Sequence, residues 1–564
     1  MGIAEWSVRR PIIILAVMIS LVLVSCGGES ASPSGSEPGS SDGGGGGDGP
    51  QGSIVSVATS LAGAGQDPLT AVAWQHKVYW DDIHDYVIEQ DASGNLIGAL
   101  ATSWEASEDQ LTWTFEIREG VKWHNGDTLT AEDVAWSWNR LMFDPSSTGT
   151  LSGRAEFVES LTAEGNTVVI VTNSPQATLP TWFAKSDGGS AGVVYSQAHF
   201  EAVGEAMFST DPVGTGPYQF VSADGEQSAN LTAFLDPERN DWQKSRTPQF
   251  KDLQVVVAPD ASTRVALLRT GDADLVPLPI SAIEEVTNEG LEVIEVPAAT
   301  QNTMFCIGFQ WDTGSPCDDV LVREALSIGI DRQGIADAVY GGFAAPSAAF
   351  MSGPGSFGNP EDLEAPPYDP ERARELLAEA GFDEANPLSV VIMAADIEGD
   401  FPLMPTLAEA IVGNYQEIGI EASVEINEEE AHKQKLFDLT LPGHPGNPTE
   451  PVTLWMRGTD NRFYFVDEQV VVVTAQGSTG AAAFNEEAHP EVRDRIVEVA
   501  SEFDFDRQAE LFADYHRWMA EEWIQIPLLT ASAVFGVSDA VAGWDERVAG
   551  KGYAHNHWSL QRSE

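Results

Sequence analysis

Trp455, Arg457 and Arg462 stand close together in the chain and offer an aromatic face beside two guanidinium groups. A ring can stack on a flat solute, and a guanidinium can hold a carboxylate through two parallel hydrogen bonds. Core filling by the tryptophan and solvated loop charge for the arginines are the plainer readings. Leu61, Ala62 and Gly63 follow a strand-like stretch, where open α/β sheets present binding loops, and small residues there let a solute approach the backbone. Cys306 and Cys317 flank a strand end and a turn at Asp312-Thr313-Gly314. Outside the cytoplasm such a pair is expected to be oxidised, closing a loop worth about 3 kcal/mol in the entropy model; two unpaired buried thiols are the alternative. His555 and His557 would share one side of a strand, but no carboxylate accompanies them at ligand spacing, so no metal is expected. The chain holds no G-x-S-x-G, no H-E-x-x-H and no Cys/His nucleophile signature. With 87 Asp and Glu residues, paired acids discriminate nothing. These residues point to binding rather than turnover, with no enzyme activity and no cofactor.

The elements that must position them are clearest between Leu100 and Leu141. Leu111, Trp113, Phe115 and Ile117 alternate with Thr112, Thr114, Glu116 and Arg118, the period of a strand with one buried face. Glu119-Gly120 turns the chain, Val121 and Trp123 are expected to open a second strand, and Asn125-Gly126 is a tight-turn signal. Thr130 and Asp133 have the spacing of a capping box, and Val134, Trp138 and Leu141 share one helical face. This block resembles the signature of the extracytoplasmic solute-binding proteins of the peptide/opine/nickel class, solute-binding protein family 5, which serve ABC importers.

Further landmarks of that family follow in order. Pro212 to Tyr218 resembles its P-x-G-T-G-P-Y segment, read here as a glycine-rich turn entering a strand rather than a phosphate cradle, since no helix start and no lysine follow. Arg239 to Trp242, Ser262 to Leu275, Asp318 to Arg332, Tyr368 to Gly381 and Arg507 to Leu528 resemble later family motifs. Asp369 is a helix N-cap, Pro370 suits the first turn and Gly381 a C-terminal stop.

The N-terminus reads as a lipoprotein signal over residues 1–25. Arg9 and Arg10 precede an apolar run from Pro11 to Val24 that is short for a membrane span of roughly 20 residues. Ser25-Cys26 resembles a lipobox, so Cys26 is the expected lipidation site. Pro11 and Ile12 fit the twin-arginine motif poorly, and general secretion is expected. Residues 26–53 are glycine, serine and proline with few apolar side chains, the composition of a flexible tether. The 564-residue chain is 43% hydrophobic with a formal net charge of −58, which supports packed cores and argues against nucleic acid or a polybasic membrane patch.

The resemblance implies an α/β, two-lobe periplasmic-binding-protein-like fold with the ligand cleft between the lobes. Lobe I takes residues 54–300 plus 529–564, with an extra subdomain at about 92–207, and lobe II takes 301–528. In peptide-binding members a loop resembling A-D-Y-x-E/D-P offers an Asp to the solute's α-ammonium. The matching stretch here is residues 444–451, with Asn447 at the Asp position and Glu450 in the acidic-Pro pair. Strict dependence on a free ammonium is therefore not expected, unless Glu450 serves. The implied function is capture of a peptide or peptide-like solute for an ABC transporter permease, by a monomer held to the membrane through its lipid. A sensory or adhesive lipoprotein, an importer component for a sugar, opine or metal complex, and a secreted hydrolase are the alternatives.

Overall fold

In the strand Thr112–Ile117, Trp113, Phe115 and Ile117 are buried, while Glu116 is exposed. Ala101–Ala106, Thr112–Ile117, Thr167–Thr172 and Val158–Glu164 form, in that order, a 4-stranded antiparallel sheet. The helix Ala131–Phe143 lays Val134, Trp138 and Leu141 on this sheet, where Trp138 stacks on Phe183 at 3.5 Å between ring centroids. Its capping box is complete: the Thr130 hydroxyl accepts from the Asp133 amide, and the Asp133 carboxylate accepts from the Thr130 amide. Val121 to Trp123 differ from expectation. They form only an isolated bridge, Lys122 with Thr128, with the Trp123 amide donating to Asp127 and the Leu129 amide to Val121, because the turn at Asn125-Gly126 leaves no length for a longer ladder.

The computed structural model describes residues 49–61, 67, 69, 78–90, 95–147, 151–184, 192–306, 314–349, 356–396, 403–428, 431–432, 435, 451–460, 466, 489–544 and 556–563. Cys26, Ala62, Gly63, Asn447, Glu450, Arg462 and His555 therefore lie outside the described residues.

An 11-stranded sheet runs through the molecule. Its order is Glu421–Glu428, Ser389–Asp396, Val452–Asp460, Glu292–Cys306, Ile526–Val537, Leu275–Pro277, Ser53–Ala58, Asp252–Val257, Ser228–Ala233 and Tyr218–Asp224, with Ala344–Pro346 beside Ile526–Val537. Three larger cores matter for the site. One, from Leu69 to Val194, belongs to the 4-stranded sheet. A second flanks both faces of the strands around Ser53–Ala58 and draws Phe535, Val537 and Leu560 from the end of the chain. The third runs from Met304 to Ala531. In it Val322 and Leu326 are buried on the helix Val320–Ile328, while Ile330, expected on the same face, is buried just past the helix end. Asp369 caps Pro370–Glu379, accepting from the Arg372 amide at 2.9 Å. Cys306 and Cys317 are joined in a disulfide that ties Glu292–Cys306 to the helix Val320–Ile328 through a short turn.

The two long strands carry the boundary between cores. Glu292 to Val296 pair with Ala533 to Val537, whose Phe535 and Val537 lie in the Ser53–Ala58 core. Thr300 to Met304 pair with Ile526 to Ala531 in the third core. Between Val296 and Thr300 the register shifts, and Pro297 stands in the interruption. A bulge with a proline bends a strand pair and weakens its ladder locally.

Candidate solute-binding cleft

Strand directions define a candidate site. Ser53–Ala58 is parallel to Asp252–Val257 and to Leu275–Pro277. Leu275–Pro277 and Glu292–Cys306 are both antiparallel to Ile526–Val537, so the first set runs toward the third core. Ser389–Asp396, Glu421–Glu428 and Val452–Asp460 are mutually parallel, and the last is antiparallel to Glu292–Cys306. This second set therefore runs back toward the first. Both sets turn their carboxyl ends to the register shift, and carboxyl ends are where open α/β sheets gather ligands.

The second set ends on Asp396, Glu428 and Asp460. Asp460 pairs with Thr300, the residue at which the crossing strand resumes its ladder. Behind it Gln301, Asn302 and Thr303 are buried polar residues in a strand otherwise lined by apolar neighbours. The Thr303 hydroxyl donates to the Ile526 carbonyl at 3.0 Å, while the Asn302 carboxamide oxygen has no hydrogen-bond partner among the described residues. An unpaired buried acceptor costs about 1–3 kcal/mol, so this boundary is not optimised for stability alone.

Trp455 lies one strand face away. It is 7% exposed, opposite Phe305 in register, with its ring stacked on Phe305 at 5.6 Å. Its indole N–H donates to His432 Nε2 at 2.9 Å. The structure thus gives Trp455 a core position in this conformation, because Met393 and Phe305 flank it in the sheet. Arg457 is half-buried, its guanidinium 5.9 Å from the Trp455 ring. Leu61 is buried with Ile54 and Ala58, so its side chain fills a core as the chain leaves the first strand. Trp455 and Arg457 come together; Leu61 belongs to a different core. Val452 starts its strand immediately after residues 444–451, at the amino edge, away from the gathered carboxyl ends. Asp460, the last residue of its strand, carries no pattern that singles it out in the sequence.

A second constellation has hydrolytic components. His557 lies between Asp82, 2.5 Å from Nδ1, and Ser56, 2.9 Å from Nε2. All three side chains are inaccessible, at 1%, 0% and 0% exposure, and the Trp558 amide also donates to Asp82 at 3.2 Å. Burial pushes the Asp82 carboxyl up, against the attraction of His557. A serine sealed from solvent meets no substrate, so the trio acts as a clamp for the end of the chain. Both His557 nitrogens are occupied, and no metal-ligating group of three occurs among the described residues.

The glycine-rich turn is also a packing device. A Cβ on Gly214 would lie 1.9 Å from the Ile83 carbonyl oxygen, and one on Gly216 2.6 Å from that of Asp82. Thr215 between them donates to Asp85 at 2.9 Å. Asp85 and Glu89 in turn accept from Arg246 at 2.6 and 3.0 Å. Its backbone serves the chain itself rather than an anion: the Gly216 amide donates to Ile83 and the Gly214 carbonyl accepts from His124.

The chain matches the family described as bacterial extracellular solute-binding proteins, family 5 Middle, over residues 95–463. It is 30% identical to heme-binding protein A of Haemophilus influenzae over 60% of this chain and 64% of that protein. It is 28% identical to the dipeptide-binding protein of Escherichia coli over 58% of this chain and 63% of that protein. The chain thus aligns with less than two thirds of the length of these curated relatives. In fold it is similar to the ABC transporter-associated periplasmic binding protein DppA of Helicobacter pylori in complex with peptide STSA. That likeness has a TM-score of 0.68 and 20% identity, covering 91% of this chain and 98% of that one. The chain has the mixed α/β fold of periplasmic binding proteins. It belongs to the bacterial extracellular solute-binding proteins, family 5. No helix among the described residues is long and apolar enough to cross a membrane.

Proposed function

We propose that this protein captures a peptide or peptide-like solute between two lobes outside the cytoplasmic membrane and delivers it to an ABC transporter permease. The lobes are residues 54–300 with 529–564, carrying the extra subdomain at about 92–207, and residues 301–528. Cys26, lipidated, would hold a monomer at the membrane on the tether of residues 26–53. The dipeptide-binding relative supports the peptide class. The observation that carries the reading is the meeting of two sets of strand carboxyl ends at the register shift of the crossing strands.

Within that candidate site, Asp460 is our choice for the partner of a solute ammonium. It ends its strand opposite Thr300, at the boundary between cores. A carboxylate contributes charge that an Asn does not, and hydrogen bonds to charged groups are worth about 1.5–3 kcal/mol. Calorimetry with free and N-acetylated tri- and tetrapeptides tests this on the mature protein. Free peptides are expected to bind; if Asp460 serves, N-acetylation and Asp460→Asn each weaken binding by about 10-fold or more, which would replace the ammonium independence expected from Asn447. Unchanged affinity in Asp460→Asn, with a gain in Asn447→Asp, would return the role to the 444–451 stretch. If only sugars or metal complexes bind, the peptide class is wrong.

A further inference from the structure

Phe503 stands in the turn between the helices Pro490–Ala500 and Phe505–Glu521, both of which pack into the Met304-to-Ala531 core. Its ring leaves that core. It stacks on Trp113 of the 4-stranded sheet, at 6.0 Å between centroids and 13° between planes, and packs with the core of that sheet. Among the described residues this is the ring contact that joins these two cores. Neither residue belongs to the crossing strands, so rotation of one body against the other about the register shift must change their separation.

Both rings are held in place before they meet. The Trp113 indole N–H donates to the Gln176 carbonyl at 3.1 Å, fixing the ring on its sheet. The Phe503 turn is fastened from inside by buried Gln508, whose amide donates to the carbonyls of Val499 and Glu502, each at 3.1 Å. Asp504 caps the next helix, accepting from the Arg507 amide at 2.9 Å. Two rings already ordered lose little rotamer freedom when they stack, so more of the contact's free energy appears in the equilibrium between bodies.

We infer that the Trp113–Phe503 stack is a latch: it joins the extra subdomain to the second lobe away from the crossing strands and biases the protein toward the closed arrangement before solute arrives. The inference rests on the two-lobe capture reading but not on the solute's identity. Trp113 is then more than a core residue of its hairpin, since one edge of it serves the closure equilibrium.

The test needs no solute. Solute-free wild type, Phe503→Ala and Phe503→Tyr are compared by small-angle scattering and by hydrogen exchange across residues 111–117. Far-UV circular dichroism and thermal midpoints confirm that each variant is folded. Phe503→Ala is expected to raise the radius of gyration and speed exchange around Trp113. The shift corresponds to an open-to-closed ratio increased about 2- to 10-fold, the range for an aromatic pair. Phe503→Tyr, which keeps the ring, should match wild type. Equal radius and exchange in folded Phe503→Ala and wild type would overturn the latch. A rise in Phe503→Tyr equal to that in Phe503→Ala would also overturn it. Failure of every peptide to bind would leave this result unaffected and would count only against the peptide reading.

Discussion

The core around Ser53–Ala58 and the Met304-to-Ala531 core are tied by different polar contacts. Around Ser53–Ala58, buried charges bind segments remote in sequence. Arg246 bridges Asp85 and Glu89, Arg140 forms a bidentate pair with Asp67, and His557 reaches Asp82 from the other end of the chain. In the Met304-to-Ala531 core buried Arg323 and Arg332 bind backbone carbonyls, as buried Arg239 and Arg264 also do earlier in the chain. Arg332 donates to Pro527 at 2.7 Å and Ser327 at 2.9 Å, and Arg323 to Cys317 and Glu522 at 2.9 Å. The difference lies in the buried carboxylates, Asp67, Asp82 and Asp85, of the first set of contacts. Both sets join segments remote in sequence, since Arg332 and Arg323 reach carbonyls 195 and 199 residues away. Where both partners are charged, the pair also fixes which distant segment docks where, since a mispaired charge in a core is costly.

The largest expected effect breaks the first kind of pin. His557→Leu leaves the Asp82 carboxyl without its imidazole in a sealed site, and removing one partner of a buried pair costs about 3–5 kcal/mol. Arg332→Met removes donors to carbonyls and should cost less, about 1–3 kcal/mol. Urea midpoints of the two variants, with equal m-values, measure the difference. Equal losses would show that the two lobes are pinned by interactions of the same weight.

A pH titration sharpens the comparison, because each lobe hides a neutral histidine. Burial lowers His84 to about 3 in the first lobe and His516 to about 3 in the second. His84 is ringed by Trp80 and Tyr195 at 5.0 Å, with both nitrogens unpaired among the described residues; nearby His124 lowers it further and Asp81 opposes. His516 packs on Phe512 and Tyr515. Unfolded, each binds a proton below about pH 6.5; folded, neither does until near its lowered value. Their stabilisation is therefore complete above pH 6.5 and is lost as the pH falls toward 3. At pH 5 each contributes a loss of about 2 kcal/mol. Thermal midpoints of wild type, His84→Phe and His516→Phe between pH 7 and 5 should show a flatter decline in each variant. An unchanged slope would mean the ring titrates normally.

What was legible in the sequence is what short-range physics decides. The alternation around Phe115, the Thr130–Asp133 spacing and the Asp369-Pro370 start each depend on neighbours within one turn or one strand, and each has the expected form. The bridge-only pairing of Lys122 shows the limit: Val121 and Trp123 have strand chemistry, but the turn that follows at once leaves no length for a ladder. Trp455 and Leu61 show another. Each has the residue type of a contact site, and what fixes its role is the strand beside it, which no local pattern names. The union of His557, Asp82 and Ser56 was illegible for the same reason, since it depends on a docking between chain ends.

The smallest expected effect lies in the most legible region. Thr130 and Asp133 complete the helix start on the 4-stranded sheet, and Asp133 does more than the pattern requires. One carboxylate oxygen accepts from the Thr130 amide at 3.0 Å and its hydroxyl at 2.9 Å, while the other accepts from the Gln197 amide at 3.1 Å. The cap therefore also anchors the next helix, Gln197–Val203. Thr130→Ala removes only the hydroxyl half and should cost about 1 kcal/mol, the usual loss for an N-cap. Asp133→Ala removes acceptors from two chain segments and should cost more, with faster hydrogen exchange at Gln197 as well as at the helix start. Exchange confined to the helix start in both variants would reduce Asp133 to an ordinary cap. Acceleration at Gln197 in Asp133→Ala alone would show that the capping carboxylate also holds the following helix, so that even the part of this chain easiest to read carries a contact its local spacing does not announce.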